Sequence, residues 1–351
     1  MAIYIRGVGN ISIQPTLKQR EIAVPAAYSE PFIRCIDPDF KEFIAPMLLR
    51  RMSPIVKRAI VSSVVALKDA GIEAPEAIIS GTGLGCIDDT EKFLNAIIEQ
   101  GEQFLQPTYF IQSTHNTISS QIAIHLKSHV YNNTYTHRGI SFENALLDAF
   151  VLMNTGQIGS ALVGGFDEMT PAYFQILKKL GNWKDKVENS LAIFEDKTPG
   201  SFAGEGSASF VLSTKEAAEN YAEIAAIQFI YNPDNQQEIN DAVLALLQQQ
   251  HLKPEDVDVL MTGISGDSAT DHHYLQLADA LFADIPHIGY KNLSGEFYTA
   301  PAFGLWSAAT CLKNKAVPEV QRVNAVPIKK VNTILLYNQY KGKNHSLILL
   351  K

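Results

Sequence analysis

The sequence predicts an α/β protein whose buried sheets are flanked by helices, and three observations carry that expectation. Short apolar runs alternate with stretches of helical periodicity, glycine turns separate the two, and the second half of the chain repeats the theme of the first. Met1 to Arg6 alternates like a strand. Ala77 to Ser80 reads as a strand followed by a helix over Thr90 to Gln100. The pairing recurs as Val130 to Thr136 then Glu143 to Gly156, and as Ser160 to Val163 then Pro171 to Leu180. Asn182 to Ser190 is polar and reads as a surface loop. Asn232 to Asn235 reads as a turn before a helix over Gln236 to Gln250, and Val257 to Gly263 as a strand entering a glycine turn before a helix over His272 to Phe282. Val257 to Gly263 parallels Ala77 to Gly83, so two related halves, residues 1–215 and 216–351, are expected to meet near Ser213 to Tyr221.

Composition narrows the function classes. The chain has 351 residues, 46% hydrophobic and 19% charged, enough to bury a sizeable core. Its formal charge of −8 argues against a sequence-independent grip on nucleic acid, which needs a basic surface to displace phosphate counterions. Cys35, Cys86 and Cys311 are odd in number and widely spaced, so neither a disulfide framework nor a CxxC metal site is expected. The N-terminus lacks a long apolar core, and no apolar run approaches the ~18 residues of a membrane span. A reducing cytoplasm is the simplest compartment, with no membrane partner.

Two motifs invite ligand readings that their spacing does not sustain. Gly81-Thr82-Gly83-Leu84-Gly85 follows a strand and precedes a helix, but Cys86 stands where a dinucleotide fingerprint needs its last glycine. A tight structural turn is the better reading. His272 and His273 lie near Asp267 and Asp271, yet adjacent helical residues point about 100° apart and chelate poorly. No metal or cofactor is expected.

Three further segments stand in an order that identifies a scaffold: His137-Arg138-Gly139-Ile140-Ser141, Gly263-Ile264-Ser265-Gly266-Asp267, and Lys291-Asn292-Leu293-Ser294-Gly295-Glu296. They are joined by Ala161-Leu162-Val163-Gly164-Gly165-Phe166-Asp167-Glu168, by the small-residue stretch Gly204-Glu205-Gly206, and by the glycine- and alanine-rich stretch after Ala300. Together they resemble the β-ketoacyl synthase family of the thiolase superfamily along nearly the whole chain. The resemblance implies a five-layered αβαβα fold. Counting back from Gly164-Gly165 places the family's nucleophilic Cys on Gly139, its first His turn on Gly263 and its second His on Glu296, while Lys291 is retained. Glycine cannot carry an acyl thioester, and a carboxylate would repel a developing enolate that a histidine would stabilise. An ion pair between Lys291 and Glu296 is expected instead. Asn338 to Asn344 replaces a glycine-rich gating loop, with lysines among its residues.

The resemblance therefore implies a catalytically inactive member, similar to chain-length factors. Such a subunit pairs with an active ketosynthase, works with an acyl carrier protein and shapes the acyl tunnel in polyketide, fatty-acid or aryl-polyene-type pathways. The expected dimer, homo- or heteromeric, would join strand edges near Val130 to Thr136. An acidic carrier would need a basic patch, for which Arg50, Arg51, Lys57 and Arg58 are candidates. Two alternatives remain open. One is a divergent acyl-transfer or condensing enzyme using Ser141, His137, His345 or Glu296; Ser141 would then need a nearby base, its alternative being a helix-start cap. The other is a binding or scaffold homodimer without an acyl tunnel.

Overall fold

The computed structural model describes residues 2–17 and 22–351, so Met1 of the first predicted strand lies outside the described residues. Among the described residues ten strands form: β1 (Tyr4–Ile11), β2 (Ala77–Gly81), β3 (Tyr131–Tyr135), β4 (Ser160–Asp167), β5 (Gly206–Ser213), β6 (Ala222–Tyr231), β7 (Val259–Thr262), β8 (His287–Gly289), β9 (Ile334–Tyr340) and β10 (Asn344–Leu350). The first helices are α1 (Pro46–Leu49), α2 (Pro54–Ala70), α3 (Ile87–Gln100), α4 (Pro107–Gln112), α5 (Thr117–His125) and α6 (Ser141–Asn154). They are followed by α7 (Pro171–Lys179), α8 (Gln236–Gln249), α9 (His272–Leu281), α10 (Lys291–Ser294) and α11 (Ala300–Asn314).

The strand order is β3-β2-β4-β5-β1-β6-β10-β9-β7-β8. Parallel pairs flank β2 at one end and β7 at the other, and the strands between are antiparallel. Where β1 meets β6 the pairing is short, Tyr4 opposite Glu223 and Ile5 opposite Ala222, so the ladder turns there from one five-stranded sheet to the next.

Side-chain alternation along each strand builds the layers. Ala77 and Ile79 on β2, and Ala161 and Val163 on β4, enter a central core that also takes Val259, Ile334 and Leu336 from the other sheet. Their neighbours Ile78 and Leu162 point the opposite way, against α2 and α5. Leu335 and Tyr337 likewise leave the centre to pack with α8 and α9. A period of two therefore sends one face of each sheet inward and the other outward. Helices α6 and α11 fill the centre. Every residue of α11 from Ala300 to Leu312 is buried, as a helix sandwiched between two sheets requires. The result is the five-layered αβαβα arrangement.

Two expectations change. Arg58 is not part of a surface patch: it is 4% exposed, and its guanidinium reaches Asp37 at 2.6 Å and Glu205 at 2.9 Å. A buried cation needs such partners, and these bind the segment before α1 to the sheet. Arg50 and Arg51 are exposed and Lys57 is half-buried. The polar segment 182–190 is also less loose than its composition suggests. Trp183 and Lys184 are buried, and the Lys184 ammonium donates to the carbonyls of Thr198 and Gly266 at 2.8 and 2.9 Å. No helix among the described residues is long and apolar enough to cross a membrane.

Candidate functional site

Strand β3 delivers the chain to a tight turn, Arg138–Ile140, from which α6 starts toward the centre of the molecule. Arg138 holds a left-handed φ of 46°, unfavourable for a residue with a Cβ, so the elbow is a strained feature of the backbone. Gly139 follows and is buried. A Cβ built on it would lie 2.2 Å from Cγ of Tyr340, well inside van der Waals contact. The ring at the end of β9 occupies the place where a side chain at 139 would stand.

Gly263 follows β7 directly. Its hypothetical Cβ would meet the Asn338 Oδ1 at 2.4 Å, the Tyr274 hydroxyl at 2.7 Å and the Lys291 Nζ at 3.2 Å. The space beside this second position is also filled. Asn338 Oδ1 accepts from the hydroxyls of Tyr290 at 3.1 Å and Tyr274 at 3.4 Å. Its amide donates to Glu143 Oε1 at 3.2 Å, and the Ser346 hydroxyl donates to the same oxygen at 2.9 Å. Glu143 is fully buried, which pushes its carboxyl up to about 7 against the pull of these donors and of Lys291.

The third position closes the set. Lys291, on α10, donates to Glu296 Oε2 at 2.5 Å, giving the expected ion pair. The Lys291 side chain is 4% exposed and that of Glu296 30% exposed, so the pair seals one wall and keeps a wet edge. Glu296 is held by its backbone: its N–H donates to the Phe202 carbonyl at 2.9 Å and its carbonyl accepts from Gly204 N–H at 3.1 Å. This crossing needs glycine at 204, where a Cβ would lie 2.0 Å from the Ser294 carbonyl oxygen.

A cleft of about 320 Å³ opens beside these residues. Leu84, Met169, Leu177, Trp183, Phe297 and Tyr298 give it an apolar wall, and Glu296 and Tyr340 also line it. Gly139, Gly263 and Lys291 do not. Tyr340 thus separates the cleft from the elbow, and it packs edge-on against Tyr298 at 5.8 Å. The nearby glycine turn is closed to phosphates. Asp167 accepts from the backbone N–H groups of Gly83 and Leu84, both at 2.9 Å, so the donors an anion would use are occupied.

The alternative nucleophiles fare differently. Ser141 is 0% exposed and its hydroxyl has no hydrogen-bond partner, so it neither caps α6 nor meets a base. His137 is exposed on the elbow. His345 is buried, its Nδ1 hydrogen-bonded to the Tyr337 hydroxyl at 2.8 Å. The hydroxyl of Thr262 lies 2.7 Å from Nε2 of His287, but both residues are buried and neither lines the cleft. His272 and His273 do stand side by side, ring centroids 4.0 Å apart, yet no group of three or more metal-ligating side chains forms among the described residues.

Tyr340, Tyr274, Tyr290 and Glu143 are the site residues that sequence reasoning missed. A bulky aromatic in a loop expected to carry small residues is the signal for Tyr340. An acidic residue four positions after Gly139, between Phe142 and Leu146, is the signal for Glu143.

The comparisons agree with this fold. Residues 29–242 match the family model described as "Beta-ketoacyl synthase, N-terminal domain". A 3-oxoacyl-[acyl-carrier-protein] synthase 2 from Synechocystis sp. is 26% identical over 192 residues, which are 52% of this chain and 46% of that protein. The chain thus matches about half the length of that curated relative. Among solved structures, the ishigamide ketosynthase/chain length factor superposes with a TM-score of 0.84 at 18% identity, covering 99% of this chain and 98% of that one. A ketosynthase in complex with its chain length factor from Xenorhabdus doucetiae gives 0.77 at 14% identity, covering 99% and 97%. A β-ketoacyl synthase from Burkholderia phymatum gives 0.78 at 14% identity, covering 100% and 99%. A thiolase-like fold, an elbow at Gly139 and a family match across more than half of the chain lead to one conclusion: this protein belongs to the β-ketoacyl synthase family.

Proposed function

We propose that this chain is a non-catalytic ketosynthase-like subunit that pairs with an active ketosynthase in carrier-protein-dependent polyketide or fatty-acid-type synthesis, aryl polyenes included. The carrying observation is that the nucleophile position is a glycine whose side-chain space is filled by Tyr340. An acyl thioester at the elbow would need both a thiol and the volume the ring takes. Gly263 and Glu296 extend the argument, because Asn338 and the Tyr274 hydroxyl fill the space at the first and the second is a carboxylate paired with Lys291.

Pairing is supported by the sheet. β3 is an edge strand with Tyr131 exposed, and exposed apolar side chains stand on α3 (Leu94, Ile98) and α4 (Phe110, Ile111). An uncovered edge and uncovered apolar groups favour a partner that continues the sheet. We take residues 1–215 and 216–351 as the two halves and a reducing cytoplasm as the setting.

The test is co-expression with a Cys-containing ketosynthase, followed by size-exclusion chromatography and a malonyl-carrier condensation assay. A stable heterodimer that condenses only when the partner's thiol is intact supports the reading. Condensation by this chain alone overturns it.

A further inference from the structure

The edge strand β3 is flanked on both sides by a basic residue in a backbone form that favours glycine. Before it, the chain leaves α5 through Lys127, with a φ of 52°; after it, the elbow turns through Arg138, with a φ of 46°. The first turn closes with the Ser128 N–H donating to the Ala123 carbonyl at 2.9 Å, a helix end where glycine is the usual residue. Both positions therefore accept a conformational cost while carrying a cation. Lys127 and Arg138 are exposed, and neither head group has a hydrogen bond or ion pair among the described residues. His129 and His137, also exposed, stand beside them. From His125 to Ser141 the sequence holds no acidic residue, although the whole chain carries a formal charge of −8. Asp148 on α6 lies over the strand between these ends, hydrogen-bonded to Tyr131 at 3.0 Å and to Tyr135.

This distribution of charge bears on what can pair with the edge. A two-fold axis through the middle of an edge strand pairs it antiparallel with its own copy, so residues before one strand stand opposite residues after the other. With the axis at Asn133, His137 falls opposite His129 of a second copy, and Arg138 falls opposite Ser128, next to Lys127. Neighbouring registers keep the same ends together. A self-pair thus sets cation near cation at one end, and symmetry repeats this at the other. Like charges facing each other across a strand pair destabilise it, and opposite charges stabilise it.

We propose that the basic ends of β3 select a partner subunit whose own pairing strand is flanked by carboxylates, and disfavour pairing of this chain with itself. The inference rests on the proposed pairing through β3 and adds the kind of surface the partner must present. One acidic group meets Lys127 and another meets Arg138, with His129 and His137 as further donors. Such complementarity both speeds encounter and rejects the wrong partner.

The experiment uses the full chain as its own probe. Lys127→Glu combined with Arg138→Glu puts acidic ends on an otherwise identical edge. In sedimentation at low salt, wild type mixed with this variant should dimerise with a Kd about tenfold or more below that of either protein alone. Added sodium chloride should weaken the mixed pair and not the wild-type self-pair, because ions screen an attraction in one and a repulsion in the other. The same runs with a co-expressed Cys-containing ketosynthase test pairing itself. A wild-type self-pair as tight as the mixed one, or weakened equally by salt, overturns the charge selection and leaves the pairing reading standing. Absence of any dimer, between copies or with the ketosynthase, overturns pairing through β3 and this inference with it.

Discussion

Replacing Gly139 by cysteine should fail to create a usable thiol, and the reason can be read from distances. The new Cβ would lie 2.2 Å from Tyr340 Cγ, 2.4 Å from its Cδ2 and 2.7 Å from its Cβ, whereas carbon atoms rest at roughly 3.5–4.0 Å. The backbone at 139 does not have a left-handed φ, so the penalty is steric rather than conformational. Overpacking of this kind destabilises by about 1–3 kcal/mol. With an unfolding entropy of roughly 2.1 cal/mol/K per residue, a chain of 351 residues should lose about 1 to 4 °C in Tm. Tyr340→Gly in the same chain removes the obstruction, so the double variant should be more stable than the sum of the single effects by about 1–2 kcal/mol. Calorimetry of the four proteins completes the cycle. Thiol labelling adds a second readout against a quiet background, because burial pushes the thiols of Cys86 and Cys311 up to about 12 and raises that of Cys35. Label should enter at 139 quickly only in the double variant. A Gly139→Cys protein as stable as the wild type, with additive energies across the cycle, would refute the idea that Tyr340 fills the position.

Glu296→Ala should destabilise by about 2–4 kcal/mol in urea titration, somewhat below the range for a fully buried pair because Glu296 is 30% exposed on its side chain, and Lys291→Met in the same chain should recover much of the loss. Glu143→Gln should leave stability near pH 5 little changed and raise it above pH 7. The folded carboxyl titrates near 7 against a model value of 4.5, so its contribution is fully present below about 4.5 and is lost as pH rises through 7; the gain in denaturation midpoint at pH 8.5 checks the sign. His273 predicts the opposite slope at lower pH: burial first, then its histidine neighbours, lowers its imidazole to about 4, so it contributes stability above about 6.5 that is lost as pH falls toward 4, and His273→Asn should flatten that limb in a pH series of melts. Arg58→Ala should be among the most damaging single changes, about 3–5 kcal/mol, because it strands Glu205 and Asp37 without their cation.

Much of the scaffold was legible because its elements advertise themselves locally. The helix expected over Gln236 to Gln250 is observed as Gln236–Gln249, and the strand-turn-helix units around Ala77, Val130 and Ser160 recur with ends shifted by a few residues. The Lys291–Glu296 pair was legible for the same reason, five positions apart on one short helix and its exit. What sequence reasoning missed depends on contacts across the fold. Tyr340 meets Gly139 from some two hundred positions away, and Asn338 fills the space at Gly263 only because β9 and β7 pair in parallel, Thr262 opposite Tyr337. Arg58 shows the converse: four basic residues close in sequence look like one patch, but helical geometry sends Arg58 inward while Arg50 and Arg51 precede the helix on the surface.

The way the space at residues 139 and 263 is filled bears on the proposed non-catalytic role. If the site had merely decayed, the vacated volumes at 139 and 263 would remain as cavities, each lowering stability in proportion to its size. Instead the Tyr340 ring lies in the first, and Asn338, the Tyr274 hydroxyl and the Lys291 ammonium crowd the second, with the Asn338 amide donating to Glu143 on α6. Filling a pocket with hydrogen-bonded polar groups is harder than filling it with hydrocarbon, since each buried donor and acceptor must find a partner. Glu143 Oε2 and the Ser141 hydroxyl do not, so the network is not the most stable filling available. A site shaped only for stability would have become apolar. Lys291, the strained elbow at Arg138 and the Tyr340 ring beside an open cleft all stand within this polar filling. That combination supports the proposed pairing subunit over the alternative of a scaffold that only holds two chains together.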